Sequence, residues 1–166
     1  VKIGDTLNKI AKKYNTTAEL ISKANNLKGS VIRLGQRLKV SMAHFSMVVD
    51  KSQNILTLKA DGEIVKTYRV STGKNSSTPV GSFKIINKIV DPVWYTEGAM
   101  VPPDSPKNIL GSRWMGISTP GYGIHGTTEP ESIGKSVTAG CVRMKDAEVE
   151  ELYSKVPKGT EVVIVD

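Results

Sequence analysis

The sequence predicts a mainly β protein: a β-sandwich or barrel-like domain with one C-terminal helix, preceded by a small α+β module of βααβ order. Three observations carry that expectation. Residues 1–40 place apolar side chains at helical spacing in two short stretches. From His44 onward the pattern changes to short runs of β-branched and apolar residues separated by turn signals. One ten-residue stretch near the end, Asp146 to Lys155, returns to the helical period, with Val149, Leu152, Tyr153 and Val156 on one face.

The module reads as strand, helix, helix, strand. Asp5 is placed to cap a helix whose face is Leu7, Ile10, Ala11 and Tyr14. Thr16 and Glu19 fit a capping box, each side chain satisfying a free N–H at the start of a second helix bearing Leu20, Ile21 and Ala24. Asn25-Asn26 ends that helix, and Leu34-Gly35-Gln36 turns into a short strand, Arg37 to Val40. Ser41-Met42-Ala43 is a joint without a Pro/Gly run, so the two parts, 1–40 and 44–166, are expected to lie close together.

In the second part, strands are predicted over Phe45–Asp50, Ile55–Lys59, Glu63–Ser71, Phe83–Val90 and Glu161–Val165. Asp61-Gly62 makes a hairpin of the second and third, since both turn positions tolerate positive φ. Residues 91–114, with four of the chain's eight prolines, read as a long irregular segment over a core, anchored by Trp94 and Trp114.

Composition narrows the function classes. With 166 residues and 39% hydrophobic, the chain is globular in character. Its longest apolar run, Val162 to Val165, is far short of the ~20 residues of a membrane span. No export signal opens the chain, which starts at Val1 rather than Met; a truncated start and delivery into a spore from the mother cell both fit that. The net charge of +7 is concentrated: residues 1–40 hold nine bases against two acids, leaving fourteen of each elsewhere. Such a module suits a polyanion, either nucleic acid or an anionic cell wall, unless its lysines merely solvate a small surface. One cysteine and two histidines cannot build a four-ligand Cys/His zinc site, and no ligand spacing suggests another metal.

Chemistry concentrates between Gly121 and Met144. His125 lies in Tyr122-Gly123-Ile124-His125-Gly126-Thr127, and sixteen positions later Cys141 lies in Thr138-Ala139-Gly140-Cys141-Val142-Arg143-Met144. A thiol becomes a nucleophile when a base takes its proton, and imidazole is the usual base. Arg143 adds a cation that favours the thiolate, and Gly140 leaves N–H groups beside the sulfur open to an oxyanion. Gly126 allows a substrate backbone to approach His125. The plain alternative is a buried cysteine on a strand and a hydrogen-bonded histidine. Ser71-Thr72-Gly73-Lys74 has the S-x-x-K spacing of penicillin-binding proteins but lacks the companion K-T-G.

Two resemblances then stand out. Gly4-Asp5-Thr6-Leu7, Ile10-Ala11, Asn25 and Leu34-Gly35-Gln36-Arg37-Leu38 resemble a LysM domain across residues 1–40. That resemblance implies binding of N-acetylglucosamine-containing glycans, chiefly peptidoglycan and chitin, in a shallow groove between Gly4, Asp5, Thr6 and the loop holding Asn25 and Asn26. His125-Gly126-Thr127 followed by Thr138-Ala139-Gly140-Cys141-Val142-Arg143 resembles the catalytic motif of the L,D-transpeptidases of YkuD type. Ser71-Thr72-Gly73, Thr78-Pro79-Val80-Gly81-Ser82-Phe83 and Leu110-Gly111-Ser112-Arg113-Trp114 support it in order. Thr138 and Ala139 depart from the family's usual serine and histidine.

This second resemblance implies an L,D-transpeptidase catalytic domain over 44–166 without cofactor. Cys141 would attack a peptidoglycan tetrapeptide stem, expel D-alanine as a thioester forms, and pass the acyl group to a second stem as a 3→3 cross-link. Hydrolysis of the same intermediate, L,D-carboxypeptidase activity, and a non-catalytic wall or spore-coat role remain alternatives. His125 would serve as base and then acid, oriented by a backbone carbonyl such as that of Gly126. Arg143 would orient a substrate carboxylate or form a structural ion pair. Thr138, Tyr122 and Trp94 would meet substrate, although core packing explains the two aromatics equally well. The expected partners are glycan strands and stem peptides, with no nucleic acid. The expected state is an extracytoplasmic monomer in a bacterial cell wall or spore wall.

Overall fold

A computed structural model describes residues 1–166. Its elements are α1 (Leu7–Lys13), α2 (Ala18–Ala24), β1 (Phe45–Asp50), β2 (Ile55–Ala60), β3 (Glu63–Arg69), β4 (Thr72–Gly73), β5 (Gly81–Val90), β6 (Trp94–Thr96) and β7 (Ala99–Val101). After them come β8 (Arg113–Ile117), β9 (Gly123–His125), β10 (Ser136–Thr138), β11 (Val142–Arg143), α3 (Asp146–Lys155) and β12 (Glu161–Val165). Eight strands form one curled mixed sheet in the order β11-β9-β8-β5-β12-β1-β2-β3. The mainly β expectation holds; the second layer is α3 rather than a second large sheet.

Alternation explains the core. Met47 and Val49 of β1, Leu56 and Leu58 of β2, and Val162 and Ile164 of β12 are fully or almost fully buried and pack with Val149 and Leu152 on α3 and with Val156 just after it. Asp61 (φ 51°) and Gly62 (φ 85°) form the expected β2–β3 turn. β12 runs parallel to β1 and antiparallel to β5, so the last strand sits between the first strand of this part and the middle of the sheet.

Residues 1–40 have a second, small core of Leu7, Ala11 and Ile21. Both helices start one residue later than the capping expectation. Thr6 Oγ1 accepts from Lys9 N at 3.2 Å, while the Asp5 carboxylate accepts from Lys2 N at 2.7 Å. Thr17, not Thr16, caps α2 through Leu20 N. Thr16 instead donates its backbone N–H to Ala11 O, so it belongs to the turn that ends α1. Ala24 lies on the exposed side of α2. The two terminal strands of the expected βααβ order are absent as a ladder. Their pairing survives only as the Val1 amine donating to Gln36 O and Gly35 N donating to Val1 O. A chain of forty residues supplies too little apolar area to hold more regular structure. The two cores meet where Thr17 Oγ1 donates to Ser154 O on α3.

The segment expected to be irregular over 91–114 contains the β6–β7 hairpin, and Trp114 lies within β8 rather than in a loop. Buried Asn108 holds the segment together. Its Nδ2 donates to Pro92 O at 2.9 Å and Pro102 O at 3.2 Å, and its Oδ1 accepts from Leu110 N.

Candidate active site

The parallel pairing of β9 with β11 puts Val142 beside Ile124 and Arg143 beside His125. Successive side chains of a strand point to opposite faces. Val142 and Ile124 turn into the core, so His125 and Arg143 turn away from it. Cys141, one residue before Val142, shares the face of Arg143. All three line a cavity of about 480 Å³, walled mainly by apolar groups that include Pro92, Trp94, Leu110 and Trp114. The loop carrying Cys141 is held because Arg143 N donates to Ser71 O at 2.9 Å and Met144 N donates to His125 O at 2.8 Å.

His125 is buried, and its Nδ1 lies 2.7 Å from Gly126 O. A carbonyl only accepts, so Nδ1 carries the proton and Nε2 keeps a lone pair. The backbone carbonyl that bonds the ring is that of Gly126. The ring stacks on Trp114 at 5.9 Å between centroids. Burial lowers the imidazole pKa to about 4, while the Gly126 hydrogen bond opposes the shift and the Arg143 charge adds to it. Half-buried Cys141 has its Sγ 3.7 Å from Gly121 O. Burial raises the thiol pKa, and a backbone hydrogen bond from Gly123 and the charge of Arg143 only offset it in part. The resting pair is thus a thiol and a neutral imidazole. Desolvation outweighs the Arg143 cation, which acts in the expected direction but is the smaller effect.

Arg143 is itself committed: Nη1 donates to Glu129 Oε2 at 2.7 Å and to Ser132 Oγ at 3.0 Å. Of its two expected roles, the ion pair is the one the contacts display. Its buried Nε has no partner. Thr138 lines the cavity, and its hydroxyl also clamps the cysteine loop, donating to Cys141 O at 2.7 Å and accepting from Gly140 N at 3.2 Å. The Gly140 N–H is therefore not open, contrary to expectation; the Cys141 N–H has no bonding partner. Gly140 adopts φ 139°, and a β-carbon there would meet Tyr122 Cε1 at 2.5 Å. Tyr122 packs against the core and against the Gly140 backbone rather than walling the cavity. Trp94 does line it.

The expected glycan-binding residues separate into two kinds. Asp5, Thr6 and Asn25 spend their side chains on the fold: Asn25 Nδ2 donates to Ile21 O and Lys39 O, and its Oδ1 accepts from Lys39 N. Gly4 and Asn26 are exposed, with φ of 83° and 50°.

Sequence reasoning missed Asp146 and the placement of Trp114. Asp146 Oδ1 accepts from Thr127 N at 2.8 Å and from Ser112 N at 3.2 Å, joining α3 to the segments on either side of the histidine. An acid in the first turn of a helix reads as helix-dipole chemistry, which concealed it. Trp114 is fixed by Nε1 donating to Asn87 Oδ1 at 3.1 Å, and Gly123 makes room for its ring, since a β-carbon there would lie 2.7 Å from it.

Comparison with known proteins agrees with this geometry. Residues 44–164 match the model of the YkuD L,D-transpeptidase catalytic domain, and residues 1–41 match that of the LysM domain. The protein named L,D-transpeptidase YkuD from Bacillus subtilis is 34% identical over 99% of this chain and 96% of its own length. Another from the same organism, named YqjB, is 40% identical over 72% of this chain and 70% of its own. Among solved structures, the catalytic domain of an Enterococcus faecium L,D-transpeptidase has a TM-score of 0.60 at 25% identity, covering 73% of this chain and 96% of that one. An L,D-transpeptidase from Mycobacterium smegmatis has a TM-score of 0.61 at 21% identity; 81% of this chain aligns with 65% of its length.

Proposed function

This chain belongs to the YkuD-type L,D-transpeptidase family, and on that premise we propose that it is a peptidoglycan L,D-transpeptidase working through a Cys141 thioester. The observation that carries the proposal is the β9–β11 register, with Cys141, His125 and Arg143 on one face of a mostly apolar cavity. His125 Nε2 takes the thiol proton as Sγ bonds to the carbonyl carbon at position 3 of a tetrapeptide stem. The unpartnered Cys141 N–H donates to the oxyanion. Collapse expels D-alanine, whose amine takes the proton back from His125. The amine of a second stem then attacks the thioester and gives a 3→3 cross-link; water in its place gives the tripeptide. Burial raises the thiol and lowers the imidazole, so in this order the pair starts uncharged and charge develops as the proton passes to Nε2.

Residues 1–40 act as a LysM anchor to the glycan, with exposed Gly4 and Asn26 at the contact, and 44–166 act as the catalytic domain. The anchor makes the second encounter with the polymer effectively intramolecular. The site of action is the bacterial wall, where the lysine-rich module also meets an anionic polymer.

The test is mass spectrometry of the protein incubated with a disaccharide-tetrapeptide, beside Cys141→Ala. A cross-linked dimer that has lost one D-alanine, absent from the control, is the expected product. Tripeptide alone turns the reading to a carboxypeptidase. Unchanged substrate, with no acyl adduct on Cys141, overturns both.

A further inference from the structure

One peptide plane links His125 to a carboxylate on another element. The Gly126 carbonyl receives the His125 Nδ1 proton at 2.7 Å, and the N–H of that same peptide, belonging to Thr127, donates to Asp146 Oδ1 at 2.8 Å. The carboxylate also receives Ser112 N at 3.2 Å, next to the strand that carries Trp114. The chain leaves space for it twice, since a β-carbon on Gly111 or on Gly126 would collide with Asp146 Oδ1.

We propose that Asp146 is the positioning residue of the histidine base, acting through the Gly126–Thr127 peptide as a third member of a Cys141–His125–Asp146 relay. This rests on the reading of Cys141 as nucleophile and His125 as base. A carboxylate drawing on the amide N–H polarises the amide and makes its carbonyl a stronger acceptor, because hydrogen bonds in series reinforce one another. When the Sγ proton moves to Nε2, Nδ1 keeps its own proton and the ring becomes a cation. That cation forms in a buried place facing Arg143 from β11, which opposes it, and Cys141, whose thiolate pairs with it. Asp146 supplies compensating charge without entering the cavity, so substrate contacts are left to other groups. It does for the imidazole what a directly bonded carboxylate does in a serine triad, holding the tautomer and favouring the imidazolium.

The experiment measures alkylation of Cys141 by iodoacetamide against pH, which needs no wall substrate, in wild type, Asp146→Asn and Asp146→Glu. Thermal unfolding is followed on the same samples. Asparagine keeps the Oδ1 acceptor and removes the charge, so the expected melting temperature is close to wild type. The expected alkylation rate near pH 7 falls about tenfold, as for loss of one charge-assisted hydrogen bond, and its rise shifts to higher pH, the rates converging once the thiol ionises unaided. Asp146→Glu recovers part of the loss. With the disaccharide-tetrapeptide, kcat falls in Asp146→Asn while KM stays within about twofold of wild type. A profile superimposable on wild type overturns the proposal. So does a rate loss that follows melting temperature in both variants, which is the behaviour of a merely structural residue. A wild type that alkylates normally but leaves the tetrapeptide untouched refutes the wall substrate while the alkylation comparison still decides the relay.

Discussion

His125 carries the sharpest pH consequence. Its pKa is lowered to about 4 by burial, against ~6.5 in an unfolded chain. Between those values the unfolded state binds the proton and the folded state does not. The stability present above pH ~6.5 is therefore lost as pH falls toward 4, by up to ~3 kcal/mol from this group. Urea midpoints at pH 7 and pH 4.5 should separate more in wild type than in His125→Asn. Gly140 gives a second test at this scale. With φ 139° and the Tyr122 ring against it, Gly140→Ala should cost ~1–3 kcal/mol and displace the cysteine loop, read as a lower melting temperature with slower Cys141 alkylation. Both residues stand out in the sequence because Gly140-Cys141 and His125-Gly126 are local pairs. Asp146 does not, because its value lies in meeting Ser112 and Thr127, which other parts of the chain deliver. Tyr122 was open to two readings for a related reason: periodicity names an aromatic but not which side of a glycine it occupies.

At the scale of elements, β8 and β9 hold the His125 ring against Trp114. Asn87, beside a register shift in β5, accepts from Trp114 Nε1 and from Gly116 N at 2.9 Å. Asn87→Ala leaves both donors without that acceptor and frees the ring stacked on His125. A stability loss of ~1–2 kcal/mol and a fall in kcat larger than that loss explains are expected, measured by urea titration and turnover. The strands with clear alternation, β1, β2 and β12, and helix α3 are legible from residue pattern, as is the β2–β3 turn. The helix caps slip by one residue since Asp5 and Thr6, like Thr16 and Thr17, are neighbours that each offer a capping oxygen, and the sequence alone does not choose between them. The β6–β7 hairpin hides in a proline-rich stretch because three-residue strands are too short to show a period.

For the whole molecule, two cores of unequal size share one chain. The smaller, with only Leu7, Ala11 and Ile21 buried, has little stability to lose. Ile21→Ala should cost ~2–4 kcal/mol there and abolish pelleting with peptidoglycan while Cys141 alkylation persists. The same pelleting in wild type should weaken with salt, as expected of an anchor with nine bases and two acids. In the larger part β12 lies between β5 and β1, so a chain ending at Gly159 would open one edge of each and split the sheet in two, leaving β5 only β8 and β1 only β2; a soluble, folded product of that truncation, judged by circular dichroism, would contradict the topology. Residue order was enough to divide the chain into a basic helical module and a β-rich remainder, and to single out Cys141 and His125. Periodicity and turn chemistry act over a few residues, and they leave their mark in the string. The parallel joins β1–β12 and β9–β11, the cavity under Trp94 and Trp114, and the neutral state of the thiol–imidazole pair come from the folded arrangement. Each depends on desolvation and contact between segments far apart in the chain, and such interactions are defined only once the chain has closed on itself.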